Sequence, residues 1–279
     1  MTAAPALRLA WRRWRLVATG GAIVAALVAC ALFAPWIAPY SPYDLDVSAM
    51  LQGPSAAHWL GTDEVGRDVL SRVIHAARIS MQVAVIAAGL GLVFGTLIGV
   101  AAAYAGGLLD LVLMRLMDLL FSFPAILLAV VLMASLGTSI LNAMVAIGIV
   151  FIPGFARLAR AATLVVLREQ YVEAARAIGM GHGRIVLREI LPNIVAPLLV
   201  EAAVAFSYAI LLESALSFMG LGAQPPEPSW GNMLNVGRGF MAQAPWLSLV
   251  PGMAIFLTVL GFNLVGDGLR DLLDPHLRD

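Results

Sequence analysis

The sequence predicts an all-α integral membrane protein with six transmembrane helices. Of its 279 residues, 61% are hydrophobic and only 12% are charged, whereas soluble domains carry about a quarter charged residues. A bilayer core about 30 Å thick needs roughly 20 apolar residues in helical conformation. Six runs of that length occur, with the Pro, Gly and charged residues gathered between them: 16–37, 79–105, 117–136, 140–159, 194–219 and 246–265.

The arginines predict the orientation of these spans, because cytoplasmic loops of membrane proteins are enriched in basic residues. With the amino terminus inside, 13 of the 17 arginines fall on the cytoplasmic side. The other four are Arg67, Arg72, Arg78 and Arg238. Both termini are therefore predicted to be cytoplasmic, and residues 171–193 become the main cytoplasmic loop.

Composition excludes several kinds of chemistry. All 17 basic residues are Arg, so the chain lacks the lysine of a P-loop and cannot form a lysine Schiff base. A single Cys30 allows no internal disulfide, and the four His show no metal-ligand spacing. The formal net charge is zero, which gives no indication of a nucleic-acid partner. We predict no catalytic residues, no metal site and no bound cofactor in this chain.

The first segment, residues 1–39, is predicted to be a basic stretch followed by a retained signal-anchor helix. An alternative interpretation is a lipoprotein signal cleaved before Cys30, after Leu27-Val28-Ala29. The apolar run continues past Cys30 to Trp36, which favours retention. Residues 40–78 are predicted to be extracytoplasmic and to contain an amphipathic helix near 66–80, lying either in the membrane interface or against neighbouring loops.

Residues 79–279 are predicted to form a five-helix core. In its first helix Gly91, Gly95 and Gly99 recur every four residues, a spacing that lets two helix backbones approach closely. A charge inside a span costs roughly 3 kcal/mol even on lenient scales, so Glu201 and Glu213 are informative. Glu213 shares a helix face with Ser217. These two residues are predicted either to line a substrate path or to be satisfied at a helix interface.

Residues 161–193 form the predicted cytoplasmic coupling loop of this core. The pattern in 169–178 predicts a short helix with Tyr171, Ala175 and Ile178 on one face, and Gly179 and Gly181 then break it. A second short amphipathic helix is predicted to follow, with Pro192 starting the next span. The result would be a slim apolar ridge suited to a groove on a partner, or alternatively a helix resting on the bilayer.

The loop contains a spaced set of six residues, Glu173, Ala174, Ala175, Gly179, Leu191 and Pro192. In spacing and position this set resembles the EAA loop of binding-protein-dependent ABC importer permeases. Glu189 stands where the pattern has Ile or His. In this family such a loop couples the permease to an ATPase, and the resemblance assigns that role to the six matching residues.

Further motifs in the same order resemble the C-type permease subunit of the dipeptide, oligopeptide and nickel importers. They are LGTD with GRDVLSR at 60–72, ES with LSFMGLG at 213–222, QPP at 224–226, and FNLVGDGLRD with Asp274-Pro275 near the carboxyl end. The resemblance implies the type I ABC importer permease fold in a bacterial inner membrane. It also implies a sister permease, two cytoplasmic ATPase subunits that hold ATP and Mg, an extracytoplasmic binding protein and surrounding membrane lipid.

Two other classes of function predict patterns of their own. A self-energised secondary transporter predicts charged relays at the midplane and an inverted repeat, and a membrane-embedded enzyme predicts a paired nucleophile and base or a metal cluster. Neither pattern is visible in the sequence. Within the importer family the loop Gln224-Pro225-Pro226 favours short peptides over nickel or another small solute.

Overall fold

The structure, a computed structural model, describes residues 4–273, with side chains from residue 17 to residue 272. Ten α-helices and no named β-strand occur in this part of the chain. The helices are α1 (Ala4–Ile37), α2 (Val69–Ala105), α3 (Gly107–Phe121), α4 (Ala125–Leu136), α5 (Ile140–Val166), α6 (Gln170–Ala177), α7 (His182–Ile185), α8 (Leu191–Phe218), α9 (Trp230–Gly237) and α10 (Trp246–Leu273). The predicted all-α class is confirmed.

Five helical segments are long and apolar enough to cross a membrane: 17–37, 69–105, 140–166, 182–218 and 246–272. The predicted third span, 117–136, is not one helix. It consists of α3 and α4, whose axes meet at 92°, and the total is six only if this broken pair counts as one span. Pro124 precedes α4 and leaves Phe123 disfavoured in helical conformation, which explains the break.

Helix α2 begins ten residues earlier than the predicted span. Asp68 caps it by accepting a hydrogen bond from the Ser71 backbone N–H at 2.8 Å. The predicted amphipathic helix is therefore the first three turns of α2, with no break at the predicted domain boundary between residues 78 and 79. Its apolar residues Val69, Ile74 and Ala77 are buried, so it packs on neighbouring segments and does not lie flat on the interface.

The core is a tight pair of α2 and α5 to which α8, α10 and α1 are added. Gly91, Gly95 and Gly99 are buried on the α5 side of α2. A Cβ at Gly95 would lie 2.5 Å from the Phe155 Cβ and 2.8 Å from the Ile152 carbonyl oxygen. Only a glycine backbone permits this approach, which is the geometry that small residues provide in membrane helix packing.

Helix α1 is continuous across Cys30 and packs on α10 and α2. The Tyr40 N–H donates to the Ser71 hydroxyl at 3.1 Å, so the end of α1 lies beside the start of α2 and the two helices run antiparallel. Asp274 and Pro275 of the carboxyl-terminal motif, and Arg278, lie outside the described residues.

Candidate functional site: the coupling segment, the buried glutamate and a charged cleft

The segment between α5 and α8 begins with α6, whose two faces differ in burial. Val172 is fully buried and Ala175 is 5% exposed, whereas Ile178 is 78% exposed. Glu173 and Ala174 are also exposed. The sequence placed Ala175 on the projecting ridge, and the structure corrects this: Ala175 anchors α6 to the helix bundle. The surface that projects from the molecule carries Tyr171, Ala174 and Ile178 at i, i+3 and i+7 spacing.

Gly179 ends α6 in a Schellman turn. The Met180 N–H donates to the Ala175 carbonyl at 3.0 Å, and the Gly179 N–H donates to the Arg176 carbonyl at 3.0 Å, which is the 6→1 and 5→2 pattern of this motif. Gly179 has φ +76° and would have open space around an added Cβ. The glycine is thus required by the backbone conformation rather than by crowding.

The second piece of the segment is not a separate short helix. Helix α7, a π-helical turn at Val186–Ile190 and α8 run on as one 37-residue helix from His182 to Phe218. Leu191 and Pro192 lie inside this continuous helix, directly after the π-helical turn. Ile185 and Ile190 are buried while Leu187 is 66% exposed. The Tyr104 hydroxyl lies 2.7 Å from His182 Nδ1 and joins α7 to the end of α2.

At the far end of α8, Glu213 lies in the protein interior with no exposed surface. Its Oε1 accepts a hydrogen bond from the Ser217 hydroxyl at 2.7 Å. The hydroxyls of Ser80, Ser214 and Ser229 also face the carboxyl group, but Glu213 Oε2, Ser80 Oγ and Ser214 Oγ have no hydrogen-bond partner of normal geometry among the described residues. The structure therefore brings Glu213 and Ser217 into contact, within the core of this chain.

The loop after α8 covers this polar cluster. The Ala223 N–H donates to Ser217 Oγ at 3.1 Å. Gly231 lies so close to α8 that an added Cβ would come within 2.7 Å of the Ser214 Cα and 2.8 Å of the Ser217 Cβ. The residues up to Ala223 and the start of α9 at Gly231 therefore pack together with Glu213 as one unit.

Residues 38–68 fold onto the same end of the bundle. Asp63 Oδ2 lies 2.6 Å from Arg67 Nε and 3.5 Å from Arg72 Nε. The buried Arg72 also donates to the Pro42 carbonyl at 3.1 Å. Two indole N–H groups close the assembly, that of Trp230 to the Val73 carbonyl at 3.1 Å and that of Trp246 to the Thr62 carbonyl at 3.2 Å.

The Tyr43 hydroxyl donates to Glu227 at 3.4 Å and so joins this segment to the loop after α8. Partial burial, reinforced by the nearby Glu227 charge, raises the pKa of the Tyr43 hydroxyl above its usual value. Tyr43 therefore stays protonated and can keep this donor role through the neutral range.

A charged cleft of about 550 Å³ lies between α3 and α5. Arg160 forms a bidentate ion pair with Asp110, with Nε–Oδ1 at 2.5 Å and a second bond at 2.6 Å. Arg157 contacts Asp118 at 2.7 Å and lies over the Phe121 ring at 4.4 Å. Arg115 is the loosest member, 4.0 Å from Asp118 with its side chain 76% exposed.

The sequence interpretation missed this cleft. Its signal was available, since Asp110, Asp118, Arg157 and Arg160 are charges within or beside predicted spans. Such charges face a water-filled cavity or a partner because exposure to lipid is costly. They were not grouped because α3 was expected to be partly loop, and the pairs join residues 39 and 50 positions apart.

Two protein families match the sequence. Residues 91–279 match the binding-protein-dependent transport system inner membrane component family. Residues 6–54 match the N-terminal transmembrane domain of oligopeptide transport permease C.

Three curated relatives are similar over nearly the whole chain. The dipeptide transport system permease protein DppC of Alkalihalophilus pseudofirmus is 46% identical over 95% of this chain and 87% of its own length. The di/tripeptide transport system permease protein DppC of Pseudomonas aeruginosa is 45% identical over 94% and 89%. The glutathione transport system permease protein GsiD of Pectobacterium atrosepticum is 43% identical over 96% and 90%.

Solved structures with the same fold include an inward-facing MetNI methionine ABC transporter. Its matching chain has a TM-score of 0.62 at 17% identity, and the match covers 74% of this chain and 97% of that one. A chain of an amino acid ABC transporter has a TM-score of 0.52 at 15% identity, covering 71% and 92%. Together with the family match over more than half of its length, these findings show that the chain is a multi-pass inner membrane permease of the binding-protein-dependent ABC importer family, and not an enzyme.

Proposed function

We propose that this chain is the C-type permease subunit of an importer that moves short peptides into the cytoplasm. The observation that carries the proposal is the similarity of 43–46% over nearly the full chain to permeases named for dipeptides, di/tripeptides and glutathione. All three names describe small peptides. Among the described residues no group of three His, Cys, Asp or Glu could hold a metal ion, which supports peptides over nickel.

We further propose that the chain pairs with a sister permease and that two ATPase subunits supply the energy, with ATP and Mg bound on those subunits. An extracytoplasmic binding protein would deliver the peptide. The projecting face of α6 supports an ATPase contact, because Tyr171 and Ile178 are apolar and exposed beside Glu173. An exposed apolar patch edged by charge is typical of a protein interface. Glu173, Ala174 and Gly179 are assigned to this contact, while Ala175, Leu191 and Pro192 would support it from within.

The path of the peptide is proposed to run past two polar regions. Glu213 and Ser217 remain the predicted lining at one end, although Glu213 has no exposed surface in this single chain. The charged cleft between α3 and α5 is the second region. It exposes both signs of charge, which suits a zwitterionic peptide, and its volume of about 550 Å³ falls in the range of small-molecule sites.

The coupling role is tested with a pair of glycine variants in the complex reconstituted in nanodiscs. In Gly179→Val a β-branched residue is forced to φ +76°, a strain of about 1–3 kcal/mol that would reorient α6. Gly181→Val is the matched control, since Gly181 has φ −66° and equally open surroundings. We expect Gly179→Val to lose ATP hydrolysis stimulated by the loaded binding protein and Gly181→Val to keep it.

Normal stimulation in Gly179→Val, and in a second variant Glu173→Arg, would show that α6 rests on the membrane surface and does not couple to an ATPase. The substrate is tested separately, by uptake of a radiolabelled dipeptide and of a nickel chelate into proteoliposomes. Uptake of the nickel species alone would overturn the assignment to peptides.

A further inference from the structure

The helix bundle carries an apolar groove of about 600 Å³. Helices α1 and α2 form its walls, from Val24 to Leu32 on one side and from Arg78 to Ile86 on the other. Each wall runs over nine residues, and its ends are about 12 Å apart at 1.5 Å rise per residue. Phe206 of α8 and Phe262 of α10 form the floor, with their rings stacked at 5.3 Å and 20°.

One end of this groove is polar. Arg78 and Gln82 lie one helical turn apart on the exposed face of α2, above the exposed Val85 and Ile86. Within the described part of the chain, Arg78 makes no hydrogen bond, ion pair or ring contact. The two arginines that come directly before it in the sequence, Arg67 and Arg72, are both paired with Asp63.

The depth of Arg78 in the membrane follows from the packing of α1 on α2. Because the start of α2 lies beside the end of α1, Arg78 is at the groove end nearest Ile37. Leu32, the last groove residue of α1, is about 7 Å from Ile37 along the helix. This is the interfacial level at which arginine side chains reach lipid headgroups. A guanidinium at that level with no partner among the described residues can bind a lipid phosphate.

We propose that the groove is a binding site for an anionic glycerophospholipid. The phosphate pairs with the guanidinium of Arg78, the amide of Gln82 donates to a glycerol ester carbonyl, and one acyl chain lies between α1 and α2 on the Phe206 and Phe262 rings. The site has the two parts that such a ligand needs, a cation at headgroup depth and a continuous apolar channel below it. The proposal does not depend on the function assigned above.

The test measures lipid retained by the purified full-length chain in a neutral detergent, by native mass spectrometry. Phosphatidylglycerol and phosphatidylcholine with identical acyl chains are compared, and glycerophosphoglycerol serves as the soluble headgroup without chains. Both lipids offer the phosphate, but the choline ammonium of phosphatidylcholine repels the Arg78 guanidinium, so we expect phosphatidylglycerol to bind about tenfold more tightly and the soluble headgroup not to be retained.

Two variants locate the site. Arg78→Gln should abolish the preference for the anionic lipid, while Arg115→Gln, which removes an exposed arginine elsewhere on the chain, should leave it unchanged. Val28→Trp fills the groove without changing charge and should weaken both lipids. Equal binding of the two lipids, or the same preference in Arg78→Gln, would overturn the proposal. So would a cross-link from Gln82→Cys to the sister permease that displaces the lipid, since the groove would then be a protein interface.

Discussion

Variants of Glu213 can separate a structural role of this side chain from a role in transport. Replacing it by Leu would remove the acceptor of the Ser217 hydroxyl bond, inside a cluster with two further unpaired hydroxyls. The unsatisfied groups should lower the free energy of unfolding by about 1–3 kcal/mol. Glu213→Gln keeps the shape and one acceptor oxygen and should cost less. Thermal unfolding of the full chain in detergent measures both, with Glu201→Leu as the control at a partly exposed position of the same helix.

The same pair of variants bears on the proposed substrate path. If Glu213→Gln unfolds like the parent but no longer supports peptide uptake, the carboxylate acts on the peptide or its path. If it supports uptake at the parental rate, Glu213 serves only to hold the loop after α8 in place.

Gly95 and Gly89 of α2 allow the same substitution, glycine to alanine, to be compared at a crowded and at an open position. Gly95→Ala would bring a methyl group within 2.5 Å of Phe155 and 2.8 Å of the α5 backbone, and overpacking of this kind costs about 1–3 kcal/mol. Gly89 has nothing within 4 Å of an added Cβ, so Gly89→Ala should be neutral or stabilise the helix by up to about 1 kcal/mol. Thermal unfolding in detergent compares them. Equal melting temperatures would mean that α2 and α5 are not held at this distance.

At the scale of elements, an ion pair that joins α3 to α5 should be stronger than an exposed ion pair within α3. The Asp110–Arg160 pair is bidentate and only partly exposed, whereas the Arg115–Asp118 pair is 4.0 Å apart and largely exposed. A double-mutant cycle with Asp110→Asn and Arg160→Gln should give a coupling energy of about 1 kcal/mol or more. The cycle with Arg115→Gln and Asp118→Asn should give close to zero, because exposed pairs contribute little. A coupling energy for Asp110–Arg160 as low as that for Arg115–Asp118 would show that this ion pair does not fix α3 to α5.

A helix boundary could be predicted from the sequence when the residues that cause it are local. The start of α2 at Val69 has a local signal in the Asp68 cap, and the Gly179 turn was predicted because a glycine after an amphipathic stretch is a local signal too. The 92° break between α3 and α4 and the continuation of α7 into α8 were missed. The break falls inside one apolar run of the sequence, 117–136, and a π-helical turn has no sequence signature that a periodicity analysis detects.

At the scale of the whole molecule, the order of the apolar spans could be predicted because the bilayer fixes their length, and their number agrees if α3 and α4 count as one span. Which faces meet could not, as α6 illustrates: Val172 and Ala175 point inward and Ile178 outward, although all three are apolar. Burial of Val172 depends on neighbours distant in sequence, and a helical pattern does not name them. The charges of the cleft likewise come from two helices, so their pairing could not be predicted from the pattern of either helix alone.

The orientation of the whole chain in the membrane is tested by cysteine labelling in a Cys30→Ala background. If 13 of the 17 arginines lie inside, the segment between α1 and α2 faces outward and α7 faces the cytoplasm. Ala56 and Arg184 are exposed positions in these two regions. Ala56→Cys should therefore react with an impermeant maleimide added to spheroplasts, and Arg184→Cys should react only after the membrane is permeabilised. Labelling of Arg184→Cys in intact spheroplasts would place α6 and α7 outside, where no cytoplasmic ATPase could reach them.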